Sequence, residues 1–213
     1  MNIRSKNNGN YHLITDPSEI SGMFKVLFGF IRQLMEIPES DQQLCRQFFQ
    51  PFFVKKGTIL EAAGTIPRYH NFIVSGYMRN FHHSEEGKEV TTDLNDGPRF
   101  FTSYYSFIQQ TVSSDNLHCL TDCKLLRINR ENNETITRTG KHSQQFVEKI
   151  LQHYLESNRH RLIDSNTLTA KQRYLKLLKS HPTVVRDVPI NYIASYLGIN
   201  PGSLSRIRQE IST

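Results

Sequence analysis

The sequence predicts an α+β chain in which helices flank a β sandwich or barrel, and three observations carry that prediction. Apolar residues recur at helical spacing in residues 17–49 and again in 142–165. Between them Gly57, Gly64, Gly76, Gly87 and Gly97 fall roughly every ten residues, separating short apolar runs, the signature of short strands and turns. The final stretch, "PINYIASYLGINPGSLSRIRQEIST", reads as two short helices around a tight glycine turn.

In order along the chain, Met23, Val26, Leu27, Phe30, Ile31, Leu34 and Met35 make the first apolar face, which Pro38 breaks. A second short helix, "SDQQLCRQFF", is expected to start at a Ser/Asp cap. The runs "TILEAAG", "NFIVSGYMRNF" and "KEVTTDL" read as strands, with "SEEGKE" (84–89) as a hairpin loop and "CKLLRI" (123–128) as the last strand. Residues 142–165 form a long amphipathic helix. Val147, Leu151, Tyr154, Asn158 and Leu162 lie close to a coiled-coil seam, and Phe146, Ile150 and Leu155 widen the stripe. Such a stripe packs on the chain's own β unit, pairs with its twin in a homodimer, or does both. "TAKQ" (169–172) has the form of a capping box opening a further helix, which Pro182 ends. The expected units are 1–140, a long helix at 141–165, and 166–213, with the boundary near 164–168.

Composition narrows the function classes. The chain has 213 residues, 22% of them charged, and no apolar run near the ~18–20 residues of a membrane span. No signal-peptide pattern opens it, so a cytoplasmic protein without a membrane partner is expected. Three cysteines (Cys45, Cys119, Cys123) argue against a disulfide framework and are too few for a cluster needing about four thiolates. No cofactor or metal is expected. The His82-His83 pair lacks further ligands, and no phosphate loop, nucleophile elbow or zinc-helix motif supports an enzyme.

Charge points elsewhere. Residues 1–140 hold 15 Lys/Arg and 15 Asp/Glu, whereas 141–213 hold 11 and 5, so the whole net charge of +6 sits in the final third. That asymmetry fits a polyanion partner at that end, although a solvated basic face has the same composition. In the final stretch Ile190, Ile193, Ala194 and Leu197 share one face, Gly198 stands at a left-handed helix end, and Asn200-Pro201 restarts a helix. Leu204, Ile207 and Ile211 then face inward. Gly202, Ser205, Arg206 and Gln209 face outward, with Pro201 and Ser203 at the helix start. In the DNA-binding version of this motif such residues reach base edges in the major groove of double-stranded DNA. Arg206 suits a bidentate guanine contact and Ser203 a phosphate contact, with Arg208, Lys171, Arg173, Lys176 and Lys179 adding phosphate attraction.

On these residues the chain resembles the Crp/Fnr family of bacterial transcription regulators. "VKKGTIL", "IVSGYMRNF", "EEGKEVTTDL" and "DCKLLRINRE" match its sensor domain, and "QRYLKLLKSHP" and "VPINYIASYLGINPGSLSRIR" its DNA-binding domain. The resemblance implies N-terminal helices with a double-stranded, jelly-roll-like β-roll, then a long dimerisation helix and a helix-turn-helix. It also implies a homodimer on a palindromic operator, a small-molecule effector, and contact with RNA polymerase if the protein activates. Relatives that bind cyclic AMP hold its phosphate with a Gly-Glu and an Arg-Ser pair. By position these fall on Thr102-Ser103 and Ser113-Ser114, so cyclic AMP is not expected to bind in the usual way. The aromatic run "RFFTSYYSFIQQ", including Phe101 and Tyr104, either lines a ligand pocket or fills the core. Gly202 stands where many relatives carry a base-reading glutamate. The chain stops at Thr213, so no C-terminal wing is expected. The competing reading is a ligand- or partner-binding sensor that never touches DNA.

Overall fold

A computed structural model describes residues 10–95 and 97–212, with side chains as far as Ile211. Helix α1 (Pro17–Arg32) starts where expected of a Pro at the first turn, with the Asp16 carboxylate accepting the Glu19 amide at 2.7 Å. It buries Met23, Phe24, Leu27, Phe28 and Ile31. Helix α2 (Glu39–Phe48) follows, but not from the Ser/Asp cap the sequence suggests: Pro38 is the cap residue and makes no side-chain bond. Asp41 is used instead over a long range, accepting the amides of Lys141 (3.3 Å) and His142 (3.1 Å).

The strands are β1 (Tyr11–Leu13), β2 (Gln50–Val54), β3 (Ile59–Glu61), β4 (Tyr69–Ser75), β5 (Met78–His83), β6 (Glu89–Leu94), β7 (Arg99–Phe100), β8 (Asn116–Cys119) and β9 (Cys123–Asn129). They form two antiparallel sheets, ordered β1-β2-β9-β4-β7 and β3-β8-β5-β6. The 84–89 loop joins β5 to β6 as anticipated, and the Ser84 amide donates to Lys88 O at 2.9 Å. Val54, Ile73, Met78, Leu117 and Leu125, none with any exposure, fill the space between the sheets. Each such side chain contributes roughly 1.5–3 kcal/mol. Gly76 shows why the β4–β5 turn admits no side chain: its φ is +94°, and a Cβ there would collide with Asp122 O and Cys123. Cys45, Cys119 and Cys123 are buried free thiols.

Helix α3 (Tyr104–Gln109) crosses the roll, and α4 (Arg130–Thr139) occupies "RENNETITRT", which carries no apolar periodicity. Asn129 starts it by accepting the Asn132 amide at 2.8 Å. Helix α5 (Ser143–Thr167) is the long helix. Ile150 and Tyr154 turn from it onto a cluster with Leu27, Phe72, Phe100 and Leu126, joining the sheet to α1.

Thr169 and Gln172 form the capping box of α6 (Ala170–Ser180). Pro182 ends α6 and also opens α7 (Pro182–Asp187), since a missing N–H costs nothing at a first helical position. Helices α8 (Ile190–Tyr196) and α9 (Pro201–Ser212) complete the chain. The core of this last unit (Tyr174, Val184, Ile193, Ala194, Leu204) is continuous with Tyr77, Leu94 and Leu120 of the roll. No described helix is long and apolar enough to cross a membrane.

Candidate nucleic-acid interface and effector cavity

The turn between α8 and α9 is built as its residues require. Gly198 has φ +68°, left-handed, and the Ile199 amide reaches back to Ala194 O at 3.0 Å, which places the two helices in contact at a fully buried Ala194. Asn200 caps α9 by accepting the Ser203 amide at 2.7 Å. Leu204 and Ile207 are buried, while Pro201, Gly202, Ser205, Arg206 and Gln209 are exposed and Ser203 is half-buried. The outward set read from the sequence is therefore presented on one face of α9.

The flanking cations are used differently from one another. Arg208 turns inward, donating to Val185 O at 3.1 Å beside the Tyr174 ring. Arg173 donates to Leu168 O (2.7 Å) and Leu197 O (3.0 Å), tying the end of the long helix to the turn. These two were expected to face phosphate; each instead satisfies a carbonyl left open at a helix end. Lys171 pairs with Glu210 (3.0 Å) and Lys176 with Asp164 (2.5 Å), both at exposed sites, so water and phosphate compete for them readily.

The helical unit is docked on the roll. Strand β6 is the edge of its sheet, and its Thr91 amide donates to Ser195 Oγ of α8 at 2.8 Å. Arg161 of α5 donates to Thr92 O at 2.5 Å, beside the Tyr196 ring. Arg79, 1% exposed, pairs with Glu89 and lies between the rings of Phe81 and Tyr192. No sequence motif announced Arg79 or Ser195; only the docking of α8 on the β5–β6 edge brings them into use.

On the inner side of the roll, Thr102 Oγ1 donates to Tyr69 O (3.1 Å) and lies 3.3 Å from Glu61 Oε2. Ser103 donates to Asp115, which also pairs with His82 at 2.8 Å. Ser113 is buried and its hydroxyl accepts the Asp115 amide at 3.0 Å; Ser114 is exposed. The positions that hold the phosphate in cyclic-AMP-binding relatives thus face two carboxylates here, Glu61 and Asp115, which the sequence did not reveal. Burial pushes the Glu61 carboxyl up to about 7 despite its bond from Asn71 (3.0 Å). Arg127, the nearby cation, is held behind Asn71 (2.8 Å) and over the Tyr69 ring.

A cavity of about 180 Å³ lies between the roll and α5. Asn80, Arg99, Thr102 and Leu117 line it from the roll, Leu151 and Asn158 from α5. Asn80 Oδ1 is buried there with no hydrogen-bond partner. Both readings of the aromatic run apply in part: Phe101 and Phe107 are core, Phe100, Phe101 and Tyr104 also wall the cavity, and Tyr105 is 75% exposed.

The seam read along the long helix needs one change. Tyr154 donates its hydroxyl to Phe100 O at 3.0 Å and packs on its own roll. Leu155 (72% exposed) takes its place between Leu151 (44%) and Leu162 (64%), with Val147 partly buried and Asn158 exposed. The 4-3-4 spacing of 151, 155, 158 and 162 fits a heptad stripe better than one through Tyr154. Among the described residues no group of three or more His, Cys, Asp or Glu is placed to hold a metal.

No protein-family profile matches the chain, and no curated protein matches it in sequence. Solved structures do match in fold. FixK2 from Bradyrhizobium japonicum superposes with a TM-score of 0.66 at 13% identity, covering 77% of this chain and 84% of that one. A putative transcriptional regulator of the Crp/Fnr family from Eubacterium rectale gives 0.64 at 15%, covering 83% and 84%. The c-di-GMP responsive global regulator CLP of Xanthomonas campestris gives 0.63 at 13%, covering 82% and 92%. With its two-sheet roll, long helix and terminal helix-turn-helix in the same order, the chain has the Crp/Fnr regulator fold.

Proposed function

We propose that the protein is a transcription regulator that reads a palindromic operator as a homodimer. The observation that carries this is the face of α9, where Pro201, Gly202, Ser205, Arg206 and Gln209 stand exposed on a helix capped by Asn200 and buried on its other side. The same third of the chain, residues 141–213, carries the whole net positive charge. Arg206 reads a base, Ser203 and the open N-terminus of α9 take phosphate, and Lys171, Lys176 and Lys179 add attraction. CLP and the Eubacterium rectale protein, two of the fold neighbours, are named as regulators.

In this reading Leu151, Leu155 and Leu162 pair two copies of α5, so two recognition helices enter successive major grooves about 34 Å apart. Residues 1–140 sense, 141–165 dimerise and 166–213 bind DNA. The effector occupies the cavity beneath Asn158 and is not cyclic AMP, because Glu61 and Asp115 face the residues that would have to hold its phosphate. It acts through α5 and the 164–168 joint on the spacing of the two reading helices. As an activator, the protein would also contact RNA polymerase. The test is selection of random duplex DNA by the purified chain, with affinity measured against salt. A palindrome whose binding weakens steeply with salt supports the reading.

A further inference from the structure

A second cavity lies outside the roll, between α1, α2, α4 and the first turns of α5. It has a volume of about 70 Å³ and is walled mainly by hydrocarbon: Leu27, Ile31, Cys45, Ile136, Phe146 and Ile150. Its mouth opens past Met35, Ile37 and His142 into a wider recess of about 360 Å³. A void this apolar stays dry and takes apolar guests.

Polar side chains also reach its wall, Glu36, Asp41, Asn133, Thr137, His142 and Ser143 among them, and His70 lies among its aromatic rings. His70 is 9% exposed and lines this cavity as well as the larger one beneath Asn158. Its ring packs against Phe100 (4.6 Å), Tyr104 (5.1 Å) and Phe107 (5.7 Å), and it hydrogen-bonds to none of the described residues. Burial holds its imidazole far below its usual pKa, at about 3, so at neutral pH one nitrogen donates and the other accepts. A buried imidazole with both positions open is a group awaiting a partner.

We propose that this cavity binds a small, uncharged, largely apolar molecule carrying one hydroxyl or carbonyl, with His70 as its hydrogen-bond partner. Charged molecules are excluded by the hydrocarbon wall. Of the two carboxylates at the wall, Glu36 and Asp41, the second is already occupied by the amides of Lys141 and His142. The guest lies against Phe146, Val147 and Ile150, on the turns with which α5 begins. The inference needs only the folded chain and stands apart from DNA binding.

The test is methyl NMR of the full chain titrated with cyclopentanol and, separately, cyclopentane. Saturable shifts of the Ile31 and Ile136 methyls are expected with both. His70→Phe keeps a ring in the aromatic cluster and should weaken cyclopentanol about tenfold while leaving cyclopentane unchanged. Ile136→Phe, which fills the cavity from α4, should abolish both responses. Absence of saturable shifts, shifts confined to Leu117 in the larger cavity, or equal cyclopentanol affinity in wild type and His70→Phe would each overturn the proposal.

Discussion

The guanidinium of Arg79 lies 3.9 Å from the centre of the Tyr192 ring and 4.1 Å from that of Phe81. One residue belongs to the roll and the other to the first helix of the helix-turn-helix. The charge is almost wholly buried, and Glu89, Thr91 and His118 complete its shell. The ring thus seals a buried cation, and the helix-turn-helix unit is the lid.

Tyr192→Leu should therefore destabilise the chain by ~1–2 kcal/mol, because it removes the ring face while keeping an apolar side chain. Ser195→Ala should cost ~1 kcal/mol by leaving the edge amide of Thr91 unpaired. Urea unfolding of both variants checks the pair.

The long-helix register separates two neighbours. Leu155→Glu should convert a dimer to a folded monomer, since the side chain is 72% exposed in the single chain and contributes little to its core. Tyr154→Phe should keep the dimer and lose ~1 kcal/mol of stability with its bond to Phe100 O. Sedimentation equilibrium and thermal unfolding distinguish these outcomes.

Cyclic AMP at millimolar concentration should leave the thermal midpoint unchanged. A ligand at a hundred times its Kd adds about 2.7 kcal/mol, which such a scan detects. Glu61 and Asp115, facing Thr102, Ser103 and Ser113, give the phosphate no cation to neutralise it.

Glu61 also makes stability depend on pH. Its folded pKa, about 7, lies above the 4.5 of an ordinary glutamate, so the folded state holds the proton more tightly. Its contribution is complete below pH 4.5 and is lost as pH rises to 7, by ~2–3 kcal/mol. His70 acts oppositely: its depressed pKa contributes stability that is lost as pH falls from 6.5 towards 3. The two slopes overlap in wild type. Glu61→Gln should remove only the first, so its stability relative to wild type should rise between pH 4.5 and 7. A pH series of urea titrations measures that difference.

Much of this was legible in sequence because it depends on local chemistry. The Thr169–Gln172 capping box, the Gly198 turn and the Asn200 cap each satisfy backbone groups within a few residues, and all three form. Helix α4 was not legible, since "RENNETITRT" has no apolar face and is held by its Asn129 cap and its packing on α2 and α5. Tyr154 was assigned to the seam because heptad spacing does not say which side of a wide stripe meets the chain's own roll. Arg208 and Arg173 looked like phosphate ligands because charge is visible in sequence and the open carbonyls they satisfy are not. Glu61 meets Thr102, and Asp115 meets Ser103, only through contacts between residues far apart in the chain.

The central claim is that α9 reads DNA through its exposed face, and one comparison tests it most directly. Random duplex DNA is selected by wild type and by Arg206→Ala, and the retained sequences are compared. The account predicts an enriched palindrome with half-sites one helical turn apart for wild type, and loss of preference in the variant at the base Arg206 contacts, with its thermal unfolding unchanged. An identical palindrome from both proteins would contradict the assignment of the reading face. No retention by wild type, even at low salt, would contradict DNA binding itself.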